Sequence, residues 1–484
     1  MKISISYPPL ESNKGVPLLG QNRQFQWFSH PCYIYPMVPA YAATLLKENG
    51  YDVSWDDGIA EELNLSEYLE RMERERPDLI AIETKTPVVK IHWKIIEKIK
   101  EILPESKIVL MGDHVTALPE ESMKESRVDF VLTGGDYDFL LLNLCNHLTK
   151  GEALEPGVWF RENNSIKNTG KFELNHDLNS LPFIDRDLTK WQLYSEKNGN
   201  YKRTPGTYTM VGRDCWWGRC TFCSWTTTYP KFRTRSPESL LDEIGMLIER
   251  YKVKEIFDDT GTFPAGKWLE KFCNGMIERG YNKKIYFSCN MRFGILKQEQ
   301  YNLMKKAGFR MLLFGLESAN QATLDRLDKG IKVGDITEGC KMAKKAGLEP
   351  HLTVMVGYPW ETKEDATRTL GLAKELFGKG YADTLQATVV IPYPGTPLFD
   401  ECKKNGWLKT EDWPQYDMRE GVMKSSLTED EIKEFTQGLY KIFLTPRYVT
   451  RKLVSIRSMD DLYFIKKGVE AVIGHLKDFS QRGK

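Results

Sequence analysis

Three cysteines fall within nine residues, in the run Gly212-Arg-Asp-Cys-Trp-Trp-Gly-Arg-Cys-Thr-Phe-Cys-Ser-Trp225. Four residues separate Cys215 from Cys220, and two separate Cys220 from Cys223. Three thiolates on one short loop can bind three irons of a 4Fe–4S cube. A fully ligated cube takes four cysteines, so the fourth iron would be left as an open Lewis-acid position. A zinc knot is the first alternative. Zinc prefers four ligands from spaced Cys or His pairs, whereas this loop has no His and no second Cys pair occurs elsewhere. Buried, unligated thiols are the second. The remaining six cysteines, Cys32, Cys145, Cys273, Cys289, Cys340 and Cys402, show no mutual spacing. An odd total of nine is too sparse for a disulfide scaffold.

Such a loop needs a platform, and the flanking sequence has the pattern of one. Over the first 150 residues, strand-like runs at 2–6, 52–55, 79–83, 107–111 and 130–132 alternate with helix-like runs at 37–49, 65–74, 91–102, 119–125 and 136–148. That alternation predicts a doubly wound, flavodoxin-like parallel sheet, with ligands outside the carboxyl ends of its strands. Residues 151–205 break the rhythm with Gly151, Pro156 and Gly170 and read as a linker with short strands. A second alternation starts at Gly206. Its strands are expected at 208–211, 255–257, 285–289, 311–314, 351–356 and 385–391. Helices are expected at 237–251, 268–279, 298–306, 337–346 and 363–377. Six such units over 206–400 predict a partial or full β/α barrel, whose chemistry lies at the carboxyl face. The cysteine loop follows the first of these strands. Residues 401–484 read as a mostly helical, aromatic and basic region.

Composition sets the outer limits. The 484 residues are 41% hydrophobic and 28% charged, ordinary for a globular chain of two to four domains. Lys plus Arg exceed Asp plus Glu by one, which disfavours a nucleic-acid partner. No apolar run is long enough for a transmembrane helix. The opening MKISISYPPL reads as a buried strand rather than a signal peptide. The expected compartment is the cytoplasm, with reduced thiols.

The cysteine loop resembles that of the radical S-adenosylmethionine superfamily, with four residues in the first gap where three are usual. Further segments agree at the expected strand ends. Phe314-Gly-Leu-Glu-Ser-Ala319 resembles the family's glycine-glutamate motif, and Val356-Gly-Tyr-Pro-Trp-Glu-Thr362 its Gly-x-Pro-x-Glu-Thr element. Asp258-Asp-Thr-Gly-Thr-Phe263, Asn290-Met-Arg292 and Pro392-Tyr-Pro-Gly-Thr-Pro-Leu398 occupy corresponding loops. The resemblance implies a 4Fe–4S cluster on Cys215, Cys220 and Cys223. It implies S-adenosylmethionine held by Phe222, Arg292, Glu317, Ser318 and Gly357, with Glu317 facing the ribose or amino group. Leu110-Met-Gly-Asp-His-Val-Thr116 and Phe130-Val-Leu-Thr-Gly-Gly-Asp136 are similar to the cobalamin-binding domain that precedes many such enzymes. By that resemblance Pro8, Glu83, Thr84, Gly112, Asp113, His114, Gly134 and Gly135 contact cobalamin. Gly112-Asp113 and Gly135-Asp136 depart from the usual Gly-Gly and Gly-Glu pairs. No Asp-x-His-x-x-Gly motif follows the first strand, so no histidine below the cobalt is expected; His30 and His114 are the nearest candidates.

The expected reaction begins with reductive cleavage of S-adenosylmethionine, by an electron from a flavodoxin- or ferredoxin-type donor. Carbon methylation of a small-molecule, lipid or peptide substrate follows. Cyclisation or rearrangement with the same cofactors is the first alternative, and a non-catalytic corrinoid-binding sensor the second. A methylthiotransferase would need three cysteines in the first domain, where only Cys32 and Cys145 occur.

Overall fold

The computed structural model describes residues 1–18, 25–29, 31–163 and 165–478. Its N-terminal sheet contains β1 (Lys2–Tyr7), β2 (Asp52–Asp57), β3 (Leu79–Glu83), β4 (Lys107–Met111) and β5 (Phe130–Leu132), in the order β2-β1-β3-β4-β5 and all parallel. Every residue of β3 is buried, as a parallel sheet covered on both faces requires. The helices Met37–Glu48, Leu65–Glu75, Val89–Ile102 and Tyr137–Lys150 supply the covering layers. Asn64 and Glu67 close a reciprocal capping box at the start of Leu65–Glu75.

The short strands expected between residues 151 and 205 form a hairpin, β6 (Val158–Glu162) and β7 (Ser165–Asn168), which pairs antiparallel with β5 and extends the first sheet. After it the chain enters a second parallel sheet in sequential order: β8 (Gly206–Thr209), β9 (Glu255–Asp258), β10 (Tyr286–Met291), β11 (Phe309–Glu317), β12 (Glu349–Val356) and β13 (Thr384–Val389). β8 and β13 are its two edges, so this is an open, partial barrel. β8 ends two residues before its expected end because the Val211 amide donates to the Asp258 side-chain carboxylate rather than to a backbone carbonyl of the neighbouring strand.

The two sheets are locked by buried ion pairs. Arg213, just past β8, donates to Asp138 at 2.6 and 3.0 Å. Arg233 donates to both oxygens of Asp136 at 2.6 and 2.7 Å. At the opposite end of the barrel Arg310 ties the starts of β9 and β12 together through Glu255 and Glu349, each at 2.7 Å. The C-terminal region is helical as expected, with Glu429–Lys441, Pro446–Val454 and Met459–Asp478. No described helix is long and apolar enough to cross a membrane.

Candidate active site

The cysteine loop is held from two sides. From the loop after β9, the Gly261 amide donates to Asp214 at 2.5 Å, and Thr262 lies 3.1 Å from the Cys215 sulfur. From the segment after β11, the Asp328 carbonyl accepts from the Trp217 indole at 2.7 Å, its carboxylate pairs with Arg219, and the Leu327 carbonyl accepts from the Thr221 amide. The longer first gap is thus anchored through Trp217 and Arg219, with Gly218 turning at φ +59.

Cys215, Cys220 and Cys223 all line one cavity of about 1160 Å³ that fills the barrel. Burial pushes the Cys220 thiol up, opposed by the charge of Lys329. Among the described residues no three His, Cys, Asp or Glu side chains are gathered closely enough for a single metal ion.

Glu317 closes β11 in the left-handed region, at φ +59, beside a register shift between Gly315 and Glu317. A non-glycine residue held there is strained, and such strain persists where the surroundings fix it. Here the fixing group is Lys329, whose ammonium lies 2.7 Å from the carboxylate. A Cβ at Gly315 would overlap both groups. Burial opposes the Lys329 charge, but Glu317 and Cys220 outweigh it and raise its pKa. Arg292 stands 3.8 Å from the Trp217 ring centroid and donates to the carbonyls of Lys329 and Gly330. Phe222, Arg292, Glu317 and Lys329 line the same cavity as the cysteines. Ser318 points away and donates to Glu361 at 2.6 Å; Gly357 turns at φ +98 beside Ile432 and is not a lining residue. Nothing in the sequence marks Lys329 as a binding group beyond the Asp328-Lys-Gly330 turn that holds it, whereas the Trp216-Trp217 pair reads as either substrate wall or core.

The strand ends of the first sheet are arranged differently. Glu83 accepts from the Tyr7 and Tyr137 hydroxyls, and burial pushes its carboxyl up against the pull of Lys85. Pro8, Thr84, Gly112 and His114 are buried too, and Asp113 lies 3.9 Å from Lys85. Gly112 turns at φ +122 against the Thr84 carbonyl. The glycines offer a backbone without side chains, as a cradle for a macrocycle or its nucleotide tail requires. The Phe172 ring packs on Gly134, however, and the Tyr229 ring on Gly135. A ligand reaching those two glycines must move the rings. His114 is committed on both nitrogens, to Thr86 at 3.1 Å and Glu121 at 3.2 Å, with Trp93 and Trp413 at its edges. His30 lies outside the described residues.

Comparison with known proteins agrees with this two-part layout. The Radical SAM superfamily profile matches residues 210–373, and the B12 binding domain profile matches residues 33–139. An uncharacterized methyltransferase of Pyrococcus horikoshii is 27% identical over 445 residues, covering 90% of this chain and 93% of that protein. The anaerobic magnesium-protoporphyrin IX monomethyl ester cyclase of Cereibacter sphaeroides is 26% identical over 84% of this chain and 66% of its own length. Among solved structures, the cobalamin-dependent S-adenosylmethionine radical enzyme OxsB superposes with a TM-score of 0.72 at 13% identity, over 98% of this chain and 71% of that one. The radical S-adenosylmethionine methyltransferase TsrM from Kitasatospora setae gives 0.66 at 15%, over 84% and 78%. These superpositions show a shared fold. With a B12 binding domain joined to a Radical SAM domain whose three cysteines line the barrel, the chain belongs to the cobalamin-dependent radical S-adenosylmethionine enzymes.

Proposed function

We propose that this chain is a methyltransferase acting on an unactivated carbon. The observation that carries the proposal is the meeting, on one cavity wall, of three cysteines able to ligate iron with the Glu317–Lys329 pair. When bound, the cluster and S-adenosylmethionine supply the radical and cobalamin supplies the methyl group. Cys215, Cys220 and Cys223 hold three irons. Glu317 accepts hydrogen bonds from the ribose or ammonium of S-adenosylmethionine, while Lys329 pairs with its carboxylate and orients it. Arg292, fixed on Trp217, and Phe222 complete that wall. Ser318 and Gly357 shape the loops behind it. Pro8, Glu83, Thr84, Gly112, Asp113, His114, Gly134 and Gly135 form the cobalamin side, with Tyr229 and Phe172 as its movable cover. The electron comes from an external flavodoxin- or ferredoxin-type donor. The largely apolar interior of the barrel keeps water from the reacting carbon.

A cyclase reading keeps the same residues and is favoured by the cyclase relative. Anaerobic reconstitution and turnover with candidate extracts separates the two. Methylation releases S-adenosylhomocysteine along with 5′-deoxyadenosine and adds one methyl mass to a product. 5′-Deoxyadenosine without S-adenosylhomocysteine overturns the methyltransferase reading, and no nucleoside cleavage overturns both.

A further inference from the structure

Twelve large hydrophobic side chains are exposed among the described residues, and nine of them fall between Leu444 and Ile473. Scattered exposed apolar residues are ordinary, but a concentrated patch marks a contact surface. Both helices here turn the wrong side to water. Pro446–Val454 has no buried residue, and it presents Val449, Leu453 and Val454. On Met459–Asp478 the exposed residues Met459, Leu462, Tyr463, Val469 and Ile473 follow helical spacing, so the stripe that faces outward is apolar.

This terminal helix stands across the open side of the barrel. Near its start Asp460 and Asp461 pair with Arg203 and Lys202, which precede β8. Near its end His475 stacks on Tyr440, whose hydroxyl donates to Ala387 of β13. The helix therefore bridges the two edge strands. Five of the nine exposed residues, Leu444, Val449, Leu453, Val469 and Ile473, also line the barrel cavity that reaches the cysteine loop. Val454, Met459, Leu462 and Tyr463 carry the same apolar surface onto the outside.

The charge of this region selects the occupant. Residues 446–477 hold seven basic and three acidic side chains. Two of the three acids are taken by Arg203 and Lys202 and the third, Glu470, pairs with Lys466 at 4.0 Å, while Arg447 and Arg457 are exposed. An apolar stripe with a basic border, lying flat rather than spanning, fits the interface of an anionic bilayer. We propose that the Leu444–Ile473 surface docks on an anionic membrane and admits the hydrocarbon chain of a lipid sideways into the barrel, making a membrane lipid the substrate class. This rests on the barrel cavity being the substrate chamber.

The test uses the reconstituted full-length protein and flotation with vesicles of phosphatidylcholine, with or without phosphatidylglycerol. The protein should float with the phosphatidylglycerol vesicles. A Val454→Glu/Leu462→Glu double variant changes only exposed positions outside the cavity lining. It should lose at least tenfold in vesicle binding while assembling its cluster and, in the absence of vesicles, releasing 5′-deoxyadenosine at the unaltered rate. Pyrene-acyl phosphatidylglycerol in the vesicles should change its emission with the native protein. Ala471→Trp, at the exposed cavity rim, should abolish that change while flotation persists. A native protein that stays unbound, a double variant that floats normally, or flotation without any pyrene change overturns the proposal. So does binding of a free protoporphyrin by a protein that ignores vesicles. Failure of cluster assembly in the native protein would instead overturn the radical-enzyme reading, so the two failures are distinguishable.

Discussion

Two parallel sheets in this molecule end in loops that carry the residues singled out for chemistry, and the two sets of loops meet opposite surroundings. Past β8, β9 and β11 the loops open onto the large barrel cavity. Past β1, β3, β4 and β5 they are buried under side chains from other parts of the chain: Tyr229 on Gly135, Phe172 on Gly134, and Trp413 beside His114. The rule that ligands sit at the carboxyl ends of parallel strands locates both places. It does not say whether a place is open or covered, because the cover comes from elements distant in sequence.

The sharpest break of this comparison lies at the open end. Replacing Cys215, Cys220 or Cys223 with Ala leaves two thiolates, too few to hold a cube. Anaerobically reconstituted variants should lose the cluster's absorbance, most of their iron and all nucleoside cleavage. Cys145, Cys273, Cys289, Cys340 and Cys402 are buried away from the cavity lining. Their replacement should leave iron content intact. Full iron content in any one of the three loop variants would remove the cluster from this loop.

Glu317→Gln keeps the shape and removes the charge. Charge-assisted hydrogen bonds are worth about 1.5–3 kcal/mol, so S-adenosylmethionine should bind about tenfold or more weakly in a calorimetric titration, with the cluster still assembled. Lys329 loses its partner in that variant. A Glu317→Gln/Lys329→Met double variant should therefore regain thermal stability without regaining affinity. An unchanged affinity would mean that Glu317 serves only to neutralise Lys329.

How far the sequence could be read follows the same division. Strand and helix positions were legible because buried parallel strands are short apolar runs and caps are local: Thr362 and Asp365 close a capping box at the start of Lys363–Lys379. The cysteines and Glu317 were legible from spacing. Lys329 was not, because its role comes from a bulge at Gly315 that brings the last residue of β11 face to face with a loop lysine. Nor was the lateral bridge made by Met459–Asp478, whose apolar stripe looks in sequence like an ordinary amphipathic helix with its greasy side in the core. Residues 151–205 were read as a linker because the β6–β7 hairpin adds an edge to a sheet whose other strands lie before it.

The covered end has its own test, smaller in size. A Cβ at Gly135 would overlap the Tyr229 ring. Gly135→Ala should then cost about 1–3 kcal/mol through overpacking, read as a lower midpoint in denaturant, and Tyr229→Ala in the same chain should recover most of it. Full stability of the single variant would mean that Tyr229 already swings clear, and the contrast between an open and a covered sheet end would lose its force.

The smallest effect concerns the seam between the two sheets. His176 lies 3.1 Å from Asp136 and 3.0 Å from Glu155, and Asp136 in turn takes both Arg233 bonds. Burial acts to lower the imidazole pKa, but the hydrogen bond to Asp136 and the charges of Asp136 and Glu155 prevail and raise it. A group whose pKa is higher in the folded state binds its proton more tightly there. Its contribution to stability is complete below the unfolded value, near 6.5, and fades as pH rises through the folded value. Asp136 works in the opposite sense: burial acts to raise its pKa, but the bonds from His176 and Arg233 hold it down, at about 2, so it stays ionised throughout this window. The native protein should thus lose a little thermal stability between pH 6 and pH 8 that a His176→Gln variant does not lose, while both keep the same cluster absorbance. Equal slopes in the two proteins would show that Arg213 and Arg233 hold the seam without help from the imidazolium.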